Sequence, residues 1–275
     1  MIDLHTHTTA SDGRCTPAEL VARASEAGVH VLAVTDHDTV AACEAVAAAC
    51  AVAGIEFVTG IEITAIRDER DVHTLGYFLD VHSPVLAEFL NEQRGHRIDR
   101  LRLMIDRLST FGIVLDAEAI LQPARADSSK SAGRPWIARA LVAGGHVASI
   151  AEAFDRWLAP ARPAFVPRIG ATPEQVVARV HEAGGIASIA HPGLLARDGW
   201  LPQLVEAGLD AIEAYHTDHD EATTARYVAL ADTLGVAVSG GSDYHGDASH
   251  RAKSIGAVSL PRDRYERLKK LKTEN

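Results

Sequence analysis

His5-Thr6-His7 follows the short run Ile2-Asp3-Leu4. In a β-strand, residues i and i+2 point to the same side, so both imidazoles can face one ion. Alone, such a pair is as readily a structural hydrogen-bonding pair as a ligand pair. Its company tips the balance. Asp36-His37-Asp38 follows an expected strand at Val29 to Thr35, and Glu62 follows one at Ile55 to Thr59. His191 follows Ile186 to Ala190, and Asp243-Tyr244-His245 follows Val236 to Ser239. Each polar cluster falls at the carboxyl end of an expected strand, where parallel α/β barrels and sheets gather their active-site loops. Imidazole and carboxylate without thiolate suit Mn²⁺, Zn²⁺ or Fe²⁺. The donors outnumber what one four-coordinate ion uses, which implies two or three metals. The chain has His 14 in all; His30, His82, His96, His146, His181 and His250 lie outside these clusters and are expected to have no role.

The elements that position these residues alternate between strand and helix. Thr16-Pro17-Ala18-Glu19 is a capping box with proline at the first helical position, and Gly28 ends that helix. Val40 to Ala53 reads as a helix closed by Gly54. A second series starts at the capping signature Thr172-Pro173-Glu174-Gln175, with strands at Ile186 to Ala190, Asp210 to Ala214 and Val236 to Ser239. Parallel strands with helical crossovers make an α/β barrel or open sheet. Between the two series strand-like runs vanish and long charged helical patterns appear, including Glu88 to Ser109. This divides the chain into a barrel from residues 1–80 and 168–275 and a helical insertion from residues 81–167. The basic tail Arg262 to Lys272 reads as a solvated helix.

Lys+Arg 27 against Asp+Glu 37 gives a formal net charge of −10, which disfavours long duplex nucleic acid as a partner. No stretch approaches the ~20 apolar residues of a membrane span and no leader pattern opens the chain, so a cytoplasmic protein is expected. Cys15, Cys43 and Cys50 lack CxxC spacing and are expected as buried free thiols.

His5-Thr6-His7 with Asp12, Thr35-Asp36-His37-Asp38, Gly60-Ile61-Glu62, His73-Thr74-Leu75-Gly76-Tyr77, Ala190-His191-Pro192 and Gly241-Ser242-Asp243-Tyr244-His245 together resemble the motifs of the polymerase and histidinol phosphatase (PHP) family. They run in the family's order and span the chain apart from the helical stretch. The resemblance implies a distorted (β/α)₇ barrel, amidohydrolase-like, holding two or three divalent ions, Mn²⁺ first with Zn²⁺ or Fe²⁺ as alternatives. It implies one ion on His5, His7, Glu62 and Asp243, a second shared by Glu62 with His73 and His191, and a third on Asp12, His37 and His245. The nucleophile implied is a metal-bridging hydroxide held by Glu62 and its neighbours; no general acid stands out. The wording of the motifs resembles the small stand-alone members, which implies removal of the 3′-phosphate from nucleoside 3′,5′-bisphosphates and 5′-to-3′ shortening of short RNA. The alternatives are another phosphomonoesterase such as a histidinol phosphatase, and a non-catalytic PHP-like binding or scaffold module.

Substrate contacts are sought in Ser128-Ser129-Lys130-Ser131-Ala132-Gly133-Arg134, where Lys130 and Arg134 precede a helix starting near Pro135 and can clamp a phosphate. Similar sequences carry histidine where this chain has Trp136, whose indole can stack on a base or simply pack. His216 follows the strand at Asp210 to Ala214 and is a further candidate for phosphate contact. Nothing in the sequence fixes an oligomeric state.

Overall fold

A computed structural model describes residues 1–127, 132–246 and 254–274. One seven-stranded sheet runs in sequence order: β1 (Ile2–Asp3), β2 (Val31–Val34), β3 (Glu56–Arg67), β4 (Arg70–Tyr77), β5 (Ile186–Ile189), β6 (Ala211–His216) and β7 (Ala237–Gly241). β2 and β5 are buried along their whole length, as strands covered on both faces must be. The sheet nearly closes on itself. Leu4 N–H donates to Gly240 O at 3.2 Å, and Thr6 bridges Tyr244 in parallel. Gly241 permits this approach, since a Cβ there would sit 2.3 Å from the His5 nitrogen. The result is the distorted α/β barrel anticipated above.

The distortion has a local cause. β4 is antiparallel to both β3 and β5, while the other neighbours pair in parallel. Asp68 and Glu69 join β3 to β4 with φ of 49° and 60°. Two central residues at positive φ make the primed turn whose twist matches a hairpin. The all-parallel expectation is therefore corrected at β4. The third strand also does not end at Thr59: it runs through Gly60 to Arg67, so Glu62 projects from mid-strand rather than from a strand end.

Helices α1 (Pro17–Glu26) and α7 (Pro173–Glu182) start at Thr16 and Thr172, each in a complete capping box. α2 (Cys43–Ala53) begins later than its apolar pattern suggests and has no side-chain cap at Ala42. Between β4 and α7 lie α3 (Pro84–Ser109), α4 (Ala117–Ala126), α5 (Arg134–Ala143) and α6 (Ile150–Ala153), the last running into a π-turn at Phe154–Leu158. Leu101, Met104, Leu121, Ile137, Leu141 and Leu158 form a separate core among them. Leu86 and Phe89 at the start of α3 pack instead into the barrel's core. Short α8 (Pro192–Leu195) and α9 (Leu201–Glu206) follow β5, and α10 (Glu221–Leu234) follows β6.

The terminal helix α11 (Arg262–Glu274) corrects the expectation of a solvated tail. Its Tyr265 and Leu268 are fully buried in the main core, and Tyr265 donates its hydroxyl to Glu56 at 2.7 Å. The three cysteines are buried and free, and burial pushes the Cys43 thiol up to about 12. Among the described residues, no helix is long and apolar enough to cross a membrane.

Candidate metal centre

The polar clusters singled out in the sequence meet at one end of the barrel. Glu62 is fully buried at their centre and spends both oxygens. Its Oε2 lies 3.3 Å from His5 Nε2, 3.3 Å from His7 Nε2 and 3.2 Å from His37 Nδ1. Its Oε1 lies 2.7 Å from His73 Nδ1 and 3.1 Å from His191 Nε2. Asp243 Oδ1 completes the first side, 3.4 Å from His5 Nε2 and 3.2 Å from His7 Nε2. On the outer side, Asp12 Oδ1 lies 3.2 Å from His245 Nε2 and Asp12 Oδ2 lies 3.8 Å from His37 Nε2. Four overlapping groups have their donor atoms close enough to hold an ion, and three consist of expected ligands: His5, His7, Glu62 and Asp243; His37, Glu62 and His73; His7, Asp12, His37 and His245. His191 reaches the cluster through Glu62.

Electrostatics favour a cation here. Burial disfavours a charged His5, but Glu213, Asp243 and Glu62 outweigh it and raise its pKa well above the imidazole range. His7 is likewise raised, to about 9, by Asp243 and Glu62 against the effect of burial. Burial lowers His37 well below that range, with His7 and His73 adding to the effect and Glu62 opposing it. Glu62 itself is held well below the carboxylate range, burial being overcome by His37, His73 and His5. The nitrogens fit a metal rather than a hydrogen-bond network. Among the described residues His7 Nε2, His37 Nδ1 and His245 Nε2 are buried and make no hydrogen bond. Buried polar atoms are otherwise almost always satisfied, and a purely N/O donor set suits Mn²⁺, Fe²⁺ or Zn²⁺.

A further ring of carboxylates orients these donors. Glu213, in mid-β6, lies 2.8 Å from His5 Nδ1 and accepts the His191 backbone N–H at 2.7 Å. Asp36 accepts from Thr8 N, Thr8 Oγ1 and Ser11 Oγ at 2.6–2.7 Å, fixing the loop that carries Asp12. Asp3 accepts from Ser242 N at 2.8 Å and Ser242 Oγ at 2.6 Å beside Asp243. Such partners fix the tautomer and direction of a ligating side chain. His191 and Asp243 hold φ of 29° and 54°, a backbone strain that tends to gather at functional sites.

Beside this cluster opens a pocket of about 510 Å³ lined by Asp12, His37 and His73 from the barrel and by Arg97, Arg134, Trp136, Arg139 and Arg168. Burial lowers the Arg168 guanidinium to about 10, with Arg97 next to it, and burial lowers Arg134 as well. Arg134 lies over the rings of Phe154 and Phe165, at 5.6 and 5.8 Å, which holds it in place. Of the sequence-based substrate candidates, Arg134 and Trp136 line this pocket and Lys130 lies outside the described residues. His216 lies apart from the arginine pocket. Its side chain is buried, Nε2 lies 3.5 Å from Asp243 Oδ2, and it is not among the pocket's lining residues. It forms the fourth group of donors, with His5 and Glu213.

Glu213, Arg97 and Arg168 are absent from the sequence-based set. Glu213 carries a signal, a carboxylate within the otherwise apolar Ala211-Ile212-Glu213-Ala214 strand. Arg97 sits in a helix crowded with charges and Arg168 in an irregular return segment, so neither stands out.

A family model described as PHP domain matches residues 3–124. The chain is 35% identical over 252 residues to the 5'-3' exoribonuclease Rnm of Escherichia coli (strain K12), covering 88% of this chain and 84% of that one. It is 33% identical over 249 residues to the 3',5'-nucleoside bisphosphate phosphatase of Chromobacterium violaceum, covering 89% and 87%. A crystal structure from Bifidobacterium adolescentis described as a metal-dependent phosphoesterase superimposes with a TM-score of 0.82 at 29% identity, covering 97% of this chain and 94% of that one.

Proposed function

The chain belongs to the PHP family of phosphoesterases, and from that premise we propose that it removes the 3′-phosphate from nucleoside 3′,5′-bisphosphates, leaving the 5′-monophosphate. The observation that carries this reading is the concentration of Arg97, Arg134, Arg139 and Arg168 around one pocket beside the metal donors, in a chain whose formal net charge is −10. A substrate with a single phosphate, held at the donors, has no use for a second cationic cluster. A substrate with two phosphates needs both.

Glu62, His5, His7, His73, His191 and Asp243 form the inner donor set, with Asp12, His37 and His245 outside them. Two or three divalent ions bound there, Mn²⁺ by preference, supply an acidic water and positive charge for the phosphoryl oxygens. Glu62 spans both sides of the set and fixes their spacing. Arg134 and Arg168, partly stripped of water, bind the 5′-phosphate more strongly than exposed cations do. Trp136 offers an aromatic face to the base. Together they hold the 3′-phosphate over the donors, converting binding energy into orientation.

The test is phosphate release in Mn²⁺ from nucleoside 3′,5′-bisphosphates, nucleoside 5′-monophosphates, sugar phosphates and histidinol phosphate. Preference for the 3′,5′-bisphosphates is expected. Release from histidinol phosphate and none from adenosine 3′,5′-bisphosphate would overturn the reading.

A further inference from the structure

His73 is the wall between two openings. On the β3 side lies the arginine pocket, which draws on Thr64 of that strand. On the β5 side lies a second concavity of about 290 Å³ lined by Arg70, Asp71, His73, His191, Leu194 and Leu195. The donor cluster is thus approached from both sides of β4. A phosphate monoester uses one approach, for the nucleoside leaving on its 3′ oxygen. The second is used only when the scissile phosphorus carries another substituent.

The side chains at the second opening suit a nucleotide. Its volume is close to the lower end of ligand pockets, about 300 Å³. Leu194 keeps 54% of its surface exposed and Leu195 lies next to it, so an apolar face stands in solvent beside a polar centre. Arg70 is exposed and, among the described residues, makes no ion pair, while the neighbouring Asp71 turns its carboxylate to Arg168 Nε at 3.2 Å. The primed turn at Asp68 and Glu69 fixes Arg70 opposite Arg67 as the first residue of β4, so its cation is carried on a rigid hairpin end.

We infer that this concavity is a subsite for the nucleotide esterified to the scissile phosphate through its 5′ oxygen, with Arg70 meeting its ribose hydroxyls and Leu194 its base. The inference rests on the nucleotide reading above. The bond cut is the same in both substrates. A water oxygen bonds to phosphorus, the bond from phosphorus to the 3′ oxygen breaks, and a proton of that water balances the new 3′-hydroxyl. From a bisphosphate the other product is inorganic phosphate; from an oligonucleotide it is the remaining chain bearing a 5′-phosphate. Arg70 and Leu194 therefore set the ratio of diester to monoester hydrolysis.

The experiment compares kcat/KM for 5′-phosphorylated diadenylate and for adenosine 3′,5′-bisphosphate in the Mn²⁺-loaded wild type, Arg70→Ala and Leu194→Asp. In each variant the dinucleotide value is expected to fall about tenfold relative to the bisphosphate value, the order of one charge-assisted contact or one apolar face. Equal changes on the two substrates, or none on either, overturn the subsite. A wild type that hydrolyses the bisphosphate and leaves the dinucleotide intact overturns the subsite alone. A wild type silent on both overturns the nucleotide reading and the subsite with it.

Discussion

Replacing Glu213 by glutamine keeps the volume of a buried side chain and removes one acceptor. In the structure its two oxygens serve two donors, His5 Nδ1 at 2.8 Å and the His191 backbone N–H at 2.7 Å. With His5 Nε2 turned to a cation, Nδ1 must carry the proton, so both partners donate. Glutamine has one acceptor oxygen, and its amide must face one of the two donors. Leaving a buried donor unsatisfied costs about 1–3 kcal/mol, and at about 1.4 kcal/mol per tenfold this weakens metal binding roughly 5–140-fold. Loss of outer-sphere partners at metal sites falls in the same range, about 10–100-fold. The assay is phosphate release as a function of free Mn²⁺, with calorimetric titration of the metal-free protein beside it. The Mn²⁺ midpoint of Glu213→Gln is expected to rise within that range while kcat at saturating Mn²⁺ changes less. A midpoint within about twofold of wild type, in a variant of unchanged melting temperature, would refute the argument that Glu213 acts through His5.

Three further outcomes follow from the same geometry. Glu62→Gln should lower kcat/KM by about 10³-fold or more and reduce bound metal by elemental analysis, because one carboxylate serves both sides of the donor set; retained activity with full metal content contradicts that role. Arg168→Ala should raise KM for a 3′,5′-bisphosphate about 10–100-fold with a smaller effect on a 3′-monophosphate, read from steady-state kinetics on the pair. Away from the site, the hydrogen bond that His181 Nε2 donates to Asp210 Oδ2, at 2.7 Å, raises the His181 pKa against partial burial. A raised folded-state pKa contributes stability below the unfolded value of about 6.5 and loses it as pH climbs through the folded value. The melting temperature of His181→Gln should therefore lie furthest below wild type at about pH 6 and below, and the gap should close as the pH rises above that; a gap that widens with pH reverses the sign and excludes the charged pair.

The site was more legible in the sequence than the strand that carries its far wall. Histidines and aspartates after short apolar strands stood out because parallel barrels present those positions to one face, and His5, His37, His191 and His245 do converge there. β4 was hidden because its pattern is half charged, Arg70-Asp71-Val72-His73, and because a primed turn made of Asp68-Glu69 lacks the glycine that usually marks one. Glu62 was placed at a strand end because Gly60 interrupts the apolar run, whereas the structure uses that glycine for close contact with Val34 and continues the strand. The signal of Glu213, a single acid in an apolar strand, gains a meaning only when His5 is set against it. The arginine pocket depends on Arg97 and Arg168, far apart in sequence and brought together only by the packing of the helices between them, and no local spacing encodes that.

The barrel's seam bears on how the protein comes off the ribosome. His5 and His7 lie beside the first strand and Asp243 and His245 just beyond the last, and the two strands touch through Leu4 and Gly240. A nascent chain that has emerged through β6 owns His5, His7 and Glu62 but still lacks Asp243 of the first donor set and His245 of the outer one. Both donor sets are therefore completed by the last residues of the barrel to be made, and the seam that closes the ring is also what brings their first and last donors together.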